Sequence, residues 1–111
     1  MSEVTTPGAA LALYQAMSEV ATLMLAAARA ENWDLLVELE TVRAAHGAEL
    51  QRMQVSAEMT LQQRERSATL MRQMLADDDE IRKLAAARMV QLSHLMDDAS
   101  TQRKLSKAYE A

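Results

Sequence analysis

The chain has 111 residues and a formal net charge of -4 at pH 7; 50% of its residues are hydrophobic, 3% are aromatic and none is cysteine. This length suits a single domain with a modest core. The acidic balance argues against binding to the phosphate backbone of nucleic acids, and the lack of cysteine excludes disulfides and thiolate metal sites.

Strong helix formers dominate the composition, and there are only one Pro and two Gly. No segment shows the alternation and β-branched enrichment of a strand. The sequence therefore predicts an all-α fold, a small antiparallel bundle of three to four amphipathic helices plus a short C-terminal helix. It shows neither a secretory signal nor an uninterrupted apolar run of the ~20 residues that span a membrane. We expect a cytoplasmic protein without membrane insertion.

The first helix is predicted from Ala9 to Ala30, after a disordered leader that comprises residues 1–8. Apolar residues recur along it at spacings of three and four, which places them on one face. Leu11 and Leu25 lie off that face and are expected to be exposed. The predicted inward stripe is Ala10, Leu13, Met17, Val20, Met24 and Ala28, widened by Tyr14 and Ala21.

A short stretch, Glu31–Leu36, holds the only tryptophan and joins the two longest apolar-periodic runs. Asn32 suits the N-cap of a new helix, and Asp34 places a negative charge where the helix dipole favours one. The stretch therefore predicts an αα-hairpin with a minimal turn. We interpret Trp33 as a plug at the end of a helical core, with direct contact to a ligand as the alternative.

The second helix is predicted from Trp33 to Met53 and carries His46 and Gly47 in its second half. Because a metal site needs three or four ligands, we interpret His46 as a satisfied or half-exposed core residue. Gly47 costs about 1 kcal/mol relative to Ala inside a helix, which indicates a bend or a close approach of another helix. The predicted inward stripe is Leu35, Leu39, Val42, His46, Leu50 and Met53.

The third helix is predicted from Leu61 to Ala76, after a polar connection at residues 54–60. The acidic run at residues 77–80 suits a fresh helix N-terminus better than a cation site. We therefore expect a break or kink near Asp78, with one kinked helix from Leu61 to Met96 as the alternative. The residues predicted to face inward are Leu61, Ala68, Met71 and Leu75.

The next helix is predicted from Glu80 to Met96, and a polar break at Asp97–Ser100 ends the bundle, which spans residues 9–98. Residues 99–111 then form a short C-terminal helix, which is too short to be stable alone. We expect this segment to act as a mobile lid that docks reversibly through Leu105 and Tyr109, with an ordinary frayed terminus as the alternative.

Motifs that carry chemistry are missing: we find no phosphate-binding loop, no metal-ligand cluster and no activated nucleophile. We therefore predict no enzyme activity, no cofactor and no metal. Nine methionines and a surplus of apolar residues indicate a surface for another protein, used as a groove, as a homodimer face or as both. The alternative for any single methionine is that it fills an aromatic-poor helical core. The predicted groove is lined by Leu36, Val37 and Leu39 of the second helix and by Met89, Leu92 and Met96 of the later one.

Two regions, in order between Tyr14 and Tyr109, resemble the FliT-type family of flagellar export chaperones. The N-terminal region is a helix start of the Trp-Asp-Leu-Leu type. The C-terminal region combines an Ile-Arg-Lys-Leu run with a terminal Ala-Tyr. The residues that carry the resemblance are Asn32-Trp33-Asp34-Leu35-Leu36 with Glu40, then Leu75, Asp77, Ile81-Arg82-Lys83-Leu84, Arg88, Leu92 and Leu95, and finally Gln102-Arg103-Lys104-Leu105 with Ala108-Tyr109.

The resemblance implies a small cytoplasmic helical chaperone of flagellar type III export. Members of that family bind the C-terminal region of the filament cap protein before secretion and contact the export ATPase and the export gate. In some bacteria they also bind the flagellar master transcription activator. Two alternatives remain open: a helical dimerisation or structural module without an export role, and an anti-activator that only sequesters a regulator.

Overall fold

The computed structural model describes residues 4–5, 7–55 and 59–109. In chain order these form β1 (Val4–Thr5), α1 (Pro7–Arg29), α2 (Trp33–Arg52), β2 (Gln54–Val55) and α3 (Leu61–Tyr109). The two short strands pair in parallel, with Val4 opposite Gln54 and Thr5 opposite Val55. Apart from this two-residue bridge the elements are helices, so the predicted all-α class is confirmed.

Helix α1 begins two residues earlier than predicted, at Pro7. Proline suits the first helical position, because its missing N–H would have no partner there. Residues 1–3 and 6 of the predicted leader lie outside the described residues. The predicted inward stripe is confirmed at Ala10, Val20, Met24 and Ala28, which are buried. Leu25 is buried as well, so its predicted exposure is wrong: the buried face of α1 is wider than one stripe.

Helix α1 also includes a segment, Gly8–Arg29, whose length and mean hydropathy of 1.3 would allow it to cross a membrane. This segment is not an uninterrupted apolar run, because Gln15 and Glu19 lie within it and are exposed. Its apolar residues have a use within the fold, where Ala21 and Met24 belong to the core.

The turn between α1 and α2 is closed by hydrogen bonds at both helix ends. Glu31 N donates to Ala28 O at 3.1 Å and Asn32 N donates to Ala27 O at 2.9 Å. With Glu31 in the left-handed region at φ 57°, this is the Schellman arrangement that satisfies the last carbonyls of a helix. Asn32 Oδ1 then accepts from Leu35 N at 3.2 Å, which confirms Asn32 as the N-cap of α2.

Trp33 begins α2 and Asp34 lies in its first turn, as predicted. The indole is half-buried rather than fully enclosed. Its Nε1 atom is buried and finds no hydrogen-bond partner in the part of the chain that the structure describes. Trp33 therefore stands at the start of α2 as a half-buried residue, and its role as a plug stays a prediction.

The predicted inward stripe of α2 is confirmed in part, because Leu39, His46, Leu50 and Met53 are half-buried. Leu36 is buried and Arg43 is half-buried, whereas Leu35 and Val42 are exposed. Arg43 takes an inward position because its Nη1 pairs with Asp78 Oδ1 at 2.6 Å. A Cβ atom at Gly47 would lie 3.7 Å from Met17 Cε of α1, which is an ordinary van der Waals contact.

Helix α3 is continuous over 49 residues, so the breaks predicted near Asp78 and at Asp97–Ser100 are wrong. No Pro or Gly follows Gly47, and an aspartate in a helix interior costs only about 0.7 kcal/mol relative to Ala. Two residues of the acidic run form ion pairs instead of capping a new helix. Asp78 pairs with Arg43 of α2, and Glu80 Oε1 accepts from Arg29 Nη2 of α1 at 2.7 Å.

The N-terminus of α3 carries a capping box that the sequence analysis did not include. Gln63 N donates to Thr60 Oγ1 at 3.1 Å, while Thr60 N donates to Gln63 Oε1 at 2.9 Å. The Thr-x-x-Gln spacing is the sequence signal of this reciprocal pair. It explains why α3 begins at Leu61, as predicted.

The buried face of α3 lies one residue away from the predicted one. Leu70, Met74 and Ile81 are buried, whereas the predicted inward residues Leu61, Ala68, Met71 and Leu75 are exposed. The doublets Leu70-Met71 and Met74-Leu75 allow two apolar stripes. Asp78 and Glu80 lie on either side of the Leu70–Ile81 face, and their ion pairs hold that face inward.

The chain forms two compact units, Met1–Ile81 and Arg82–Ala111. The first contains α1, α2 and the first part of α3, and all the buried residues of the described chain lie in it. The second is the remainder of α3, in which Leu84, Ala85 and Arg88 are half-buried. Beyond Arg88 every described residue of this second unit is exposed.

Candidate partner-binding surface

The three groove residues predicted on α2 have different environments. Val37 is 60% exposed and Leu39 is half-buried, but Leu36 is only 7% exposed. Leu36 is therefore a core residue of the first unit and not part of an open wall. Sequence reasoning missed the exposed Leu35 and Val42, because it assigned both to the inward stripe.

The three groove residues predicted on α3 are all exposed. Met89, Leu92 and Met96 lie in the second unit, with exposed fractions of 66%, 37% and 71%. Val90 and Leu95 are exposed beside them. Burial of such a side chain against a partner contributes roughly 1.5–3 kcal/mol, so even a few of them could hold a helical peptide.

Of the lid predicted at residues 99–111, the structure describes residues 99–109. Leu105 is 53% exposed and Tyr109 is 86% exposed, so neither rests on a groove in this structure. The reason is the continuity of α3. The prediction required a break at Asp97–Ser100 at which the segment could turn, and the helix passes through these residues without one.

The described residues offer little for catalysis. Among them no group of three or more His, Asp or Glu side chains could hold a metal ion. A cleft of about 590 Å³ opens between Leu11 of α1 and the start of α3. Its other walls are polar, formed by Thr60, Gln62, Gln63, Glu65, Arg66 and Thr69. The exposed apolar residues of α2 and α3 are therefore the stronger candidates for a functional surface.

The comparison with protein families agrees with the sequence resemblance. The model described as "Flagellar protein FliT" matches residues 11–111, which is nearly the whole chain. This chain belongs to the FliT family. FliT is a chaperone-type family of flagellar proteins and not a known enzyme family.

Individual FliT proteins show how far the likeness extends. The chain is 28% identical over 99 residues to the flagellar protein FliT of Photorhabdus laumondii, covering 89% of this chain and 79% of the relative. It is 32% identical over 101 residues to the FliT of Serratia proteamaculans, covering 89% and 81%. The crystal structure of FliT from Bordetella bronchiseptica matches with a TM-score of 0.72 and 28% identity, over 78% of this chain and 97% of that one.

Proposed function

We propose that this protein is a cytoplasmic chaperone and adaptor of flagellar type III export, which binds the C-terminal region of the filament cap protein before secretion. Membership of the FliT family supports a flagellar chaperone role. The observation that carries the binding role is the set of exposed apolar side chains on α3, formed by Met89, Leu92 and Met96.

The physical task of such a chaperone is to cover an apolar segment of its client until export. Methionine suits this task, because its unbranched and polarisable side chain adapts to different partners. An amphipathic helix of the client would lay its apolar side chains on Met89, Leu92 and Met96. Val37 and Leu39 of α2, in the first unit, stay predicted contacts.

Further partners follow from the family resemblance. We propose the export ATPase and the export gate as the partners to which the loaded chaperone delivers its client. The flagellar master transcription activator is a third proposed partner, through which the free chaperone would lower flagellar gene expression. A deletion strain separates the roles: an export chaperone is needed for motility, whereas a pure anti-activator changes only flagellar gene expression.

Calorimetry with the purified C-terminal region of the cap protein from the same bacterium tests the client. We expect Met89→Ser combined with Met96→Ser to weaken binding at least tenfold, by about 1.4 kcal/mol or more, without loss of helix content. Both side chains are exposed, so the fold does not depend on them.

The matched control is Met71→Ser, which changes an exposed methionine of the same helix in the first unit. This variant should bind like the wild type. Full affinity in the double variant would exclude this face, and a wild-type chain that does not bind the cap protein would exclude the proposed client.

A further inference from the structure

The methionines of this chain differ widely in their exposure to solvent. A peroxide molecule oxidises a thioether only where it can reach the sulfur atom, so exposure sets the order of reactivity. Met89 and Met96 of the second unit are the most exposed of the methionines that the structure describes. The buried ones are Met24 and Met74, the half-buried ones are Met17, Met53 and Met59, and the remaining exposed one is Met71.

Oxidation of this chain is directed to methionine by its composition. The sequence contains no cysteine, so no thiol within it competes with the methionines for an oxidant. Methionine sulfoxide is also a reversible product, because dedicated reductases convert it back to the thioether. The exposed methionines are therefore the positions at which an oxidant can change this chain reversibly.

Met89 and Met96 lie on one face of α3. Leu92 stands between them, and spacings of three and four residues keep the three side chains in line. All three are exposed. We call Met89, Leu92 and Met96 the α3 stripe. Because two of its three members are methionines, a change in methionine polarity alters most of the α3 stripe at once.

Oxidation by hydrogen peroxide is balanced between the two reactants. A lone pair of the methionine sulfur attacks one peroxide oxygen, so that an S–O bond forms while the O–O bond breaks. The departing hydroxide takes the proton of the transferred hydroxyl and leaves as water. Sulfur loses two electrons and peroxide gains them. The product is methionine sulfoxide, which is polar where the thioether was apolar.

We propose that Met89 and Met96 form a paired site of reversible oxidation to methionine sulfoxide, which lowers the affinity of the α3 stripe for an apolar partner. Each sulfoxide oxygen holds water, and an apolar partner would have to remove that water without replacing its hydrogen bonds. The core is spared, because the sulfur atoms of Met24 and Met74 belong to buried residues. The oxidation itself depends only on exposure, whereas its effect on the cap protein rests on the proposed function.

Reduction restores the stripe. A methionine sulfoxide reductase uses two thiols of a reductant: they form a disulfide, and the sulfoxide oxygen leaves as water. Because the sulfoxide has two epimers and each needs its own enzyme, complete recovery requires both reductases.

Peptide mass spectrometry of the full chain during exposure to hydrogen peroxide tests the site. Met89 and Met96 should oxidise at least about tenfold faster than Met24 and Met74, with helix content unchanged by circular dichroism. Catalase then removes the peroxide, and the two reductases with dithiothreitol should return both residues to methionine. Oxidation of the pair no faster than that of the core methionines, or loss of helix content, would overturn the inference.

Calorimetry with the untreated C-terminal region of the cap protein tests the effect. Each chain is compared with itself before and after peroxide. Oxidation should weaken binding by the wild type at least about tenfold. The variant Met89→Leu with Met96→Leu keeps apolar side chains of similar volume but has no sulfur at the α3 stripe, so peroxide should change its affinity less than about twofold. The matched control, Met71→Leu, should respond like the wild type.

Retention on a hydrophobic-interaction column tests the same change without a client. Peroxide should make the wild type and Met71→Leu elute earlier, and the double leucine variant should shift much less. An equal shift or an equal loss of affinity in the double variant would overturn the inference, as would an oxidised wild type with full affinity. If the untreated wild type does not bind the cap protein, the proposed client is excluded, and the column alone decides whether oxidation of the pair changes the stripe.

Discussion

Replacement of Glu31 by Gly should stabilise the protein, because Glu31 occupies a backbone conformation that favours glycine. Its φ of 57° lies in the left-handed region, where the Cβ of an L-residue approaches the following carbonyl oxygen. The hydrogen bonds of Glu31 N and Asn32 N to the end of α1 require this conformation. The side chain itself is exposed, so its removal sacrifices little packing.

The expected gain is small but measurable. A non-glycine residue in this region costs about 1–2 kcal/mol. Glycine also increases the conformational entropy of the unfolded chain, which offsets about 0.4–1 kcal/mol of the stabilisation. The net increase in the free energy of unfolding should be about 0.5–1 kcal/mol. For a domain of this size that raises the thermal midpoint by about 2–6 °C.

Thermal unfolding followed by circular dichroism measures the effect, with Glu31→Ala as the matched control. Alanine removes the same carboxylate but keeps the Cβ, so it should give none of the conformational gain. Glu31→Asn should fall between the two, since asparagine tolerates the left-handed region better than alanine. The reasoning would be refuted if the Gly variant were no more stable than the Ala variant.

Three further predictions concern the packing of the first unit. In urea titrations, Leu70→Ala should lower the free energy of unfolding by about 2–5 kcal/mol, and Leu75→Ala should lower it by less than about 0.5 kcal/mol. The reverse order would show that Leu75 faces the core, as the sequence predicted. Asp78→Asn should lower the free energy of unfolding by about 1 kcal/mol, because it breaks a half-buried ion pair, and Glu80→Gln should lower it by less than about 0.5 kcal/mol. Equal losses would show that burial does not make one ion pair stronger than the other. Trp33→Ala should cost about 3 kcal/mol, and an unchanged thermal midpoint would contradict its role in the hairpin.

Local signals in the sequence were sufficient for the elements of the hairpin. Asn32 and Asp34 predict the start of α2 correctly, because capping depends on a few neighbouring atoms and not on the rest of the fold. Gly47 does lie next to α1, but a Cβ atom there would make only an ordinary van der Waals contact with Met17. Asn32 and Asp34 belong to the stretch Glu31–Leu36, which also carries the Trp-Asp-Leu-Leu part of the resemblance to FliT proteins.

The orientation of α2 and α3 was decided by tertiary contacts. The sequence offers two nearly equivalent apolar stripes on α3, one through Leu70 and one through Met71, and periodicity cannot choose between them. Ion pairs from Asp78 and Glu80 to the preceding helices favour the Leu70 stripe. Those pairs join residues 35 and 51 positions apart, a distance at which no local pattern operates.

The candidate surface was likewise predicted in part from the sequence and decided in part by tertiary contacts. The predicted groove residues Met89 and Met96 are exposed in the structure, and their contact with a partner stays a prediction. The sequence could not show that Leu36 is a core residue, because its burial depends on which face of α2 turns inward. Nor could the sequence show that α3 runs unbroken to Tyr109, because both acidic runs resemble helix starts. In the structure, Asp78 and Glu80 of the first run pair with arginines of the preceding helices, and the run lies in the interior of α3.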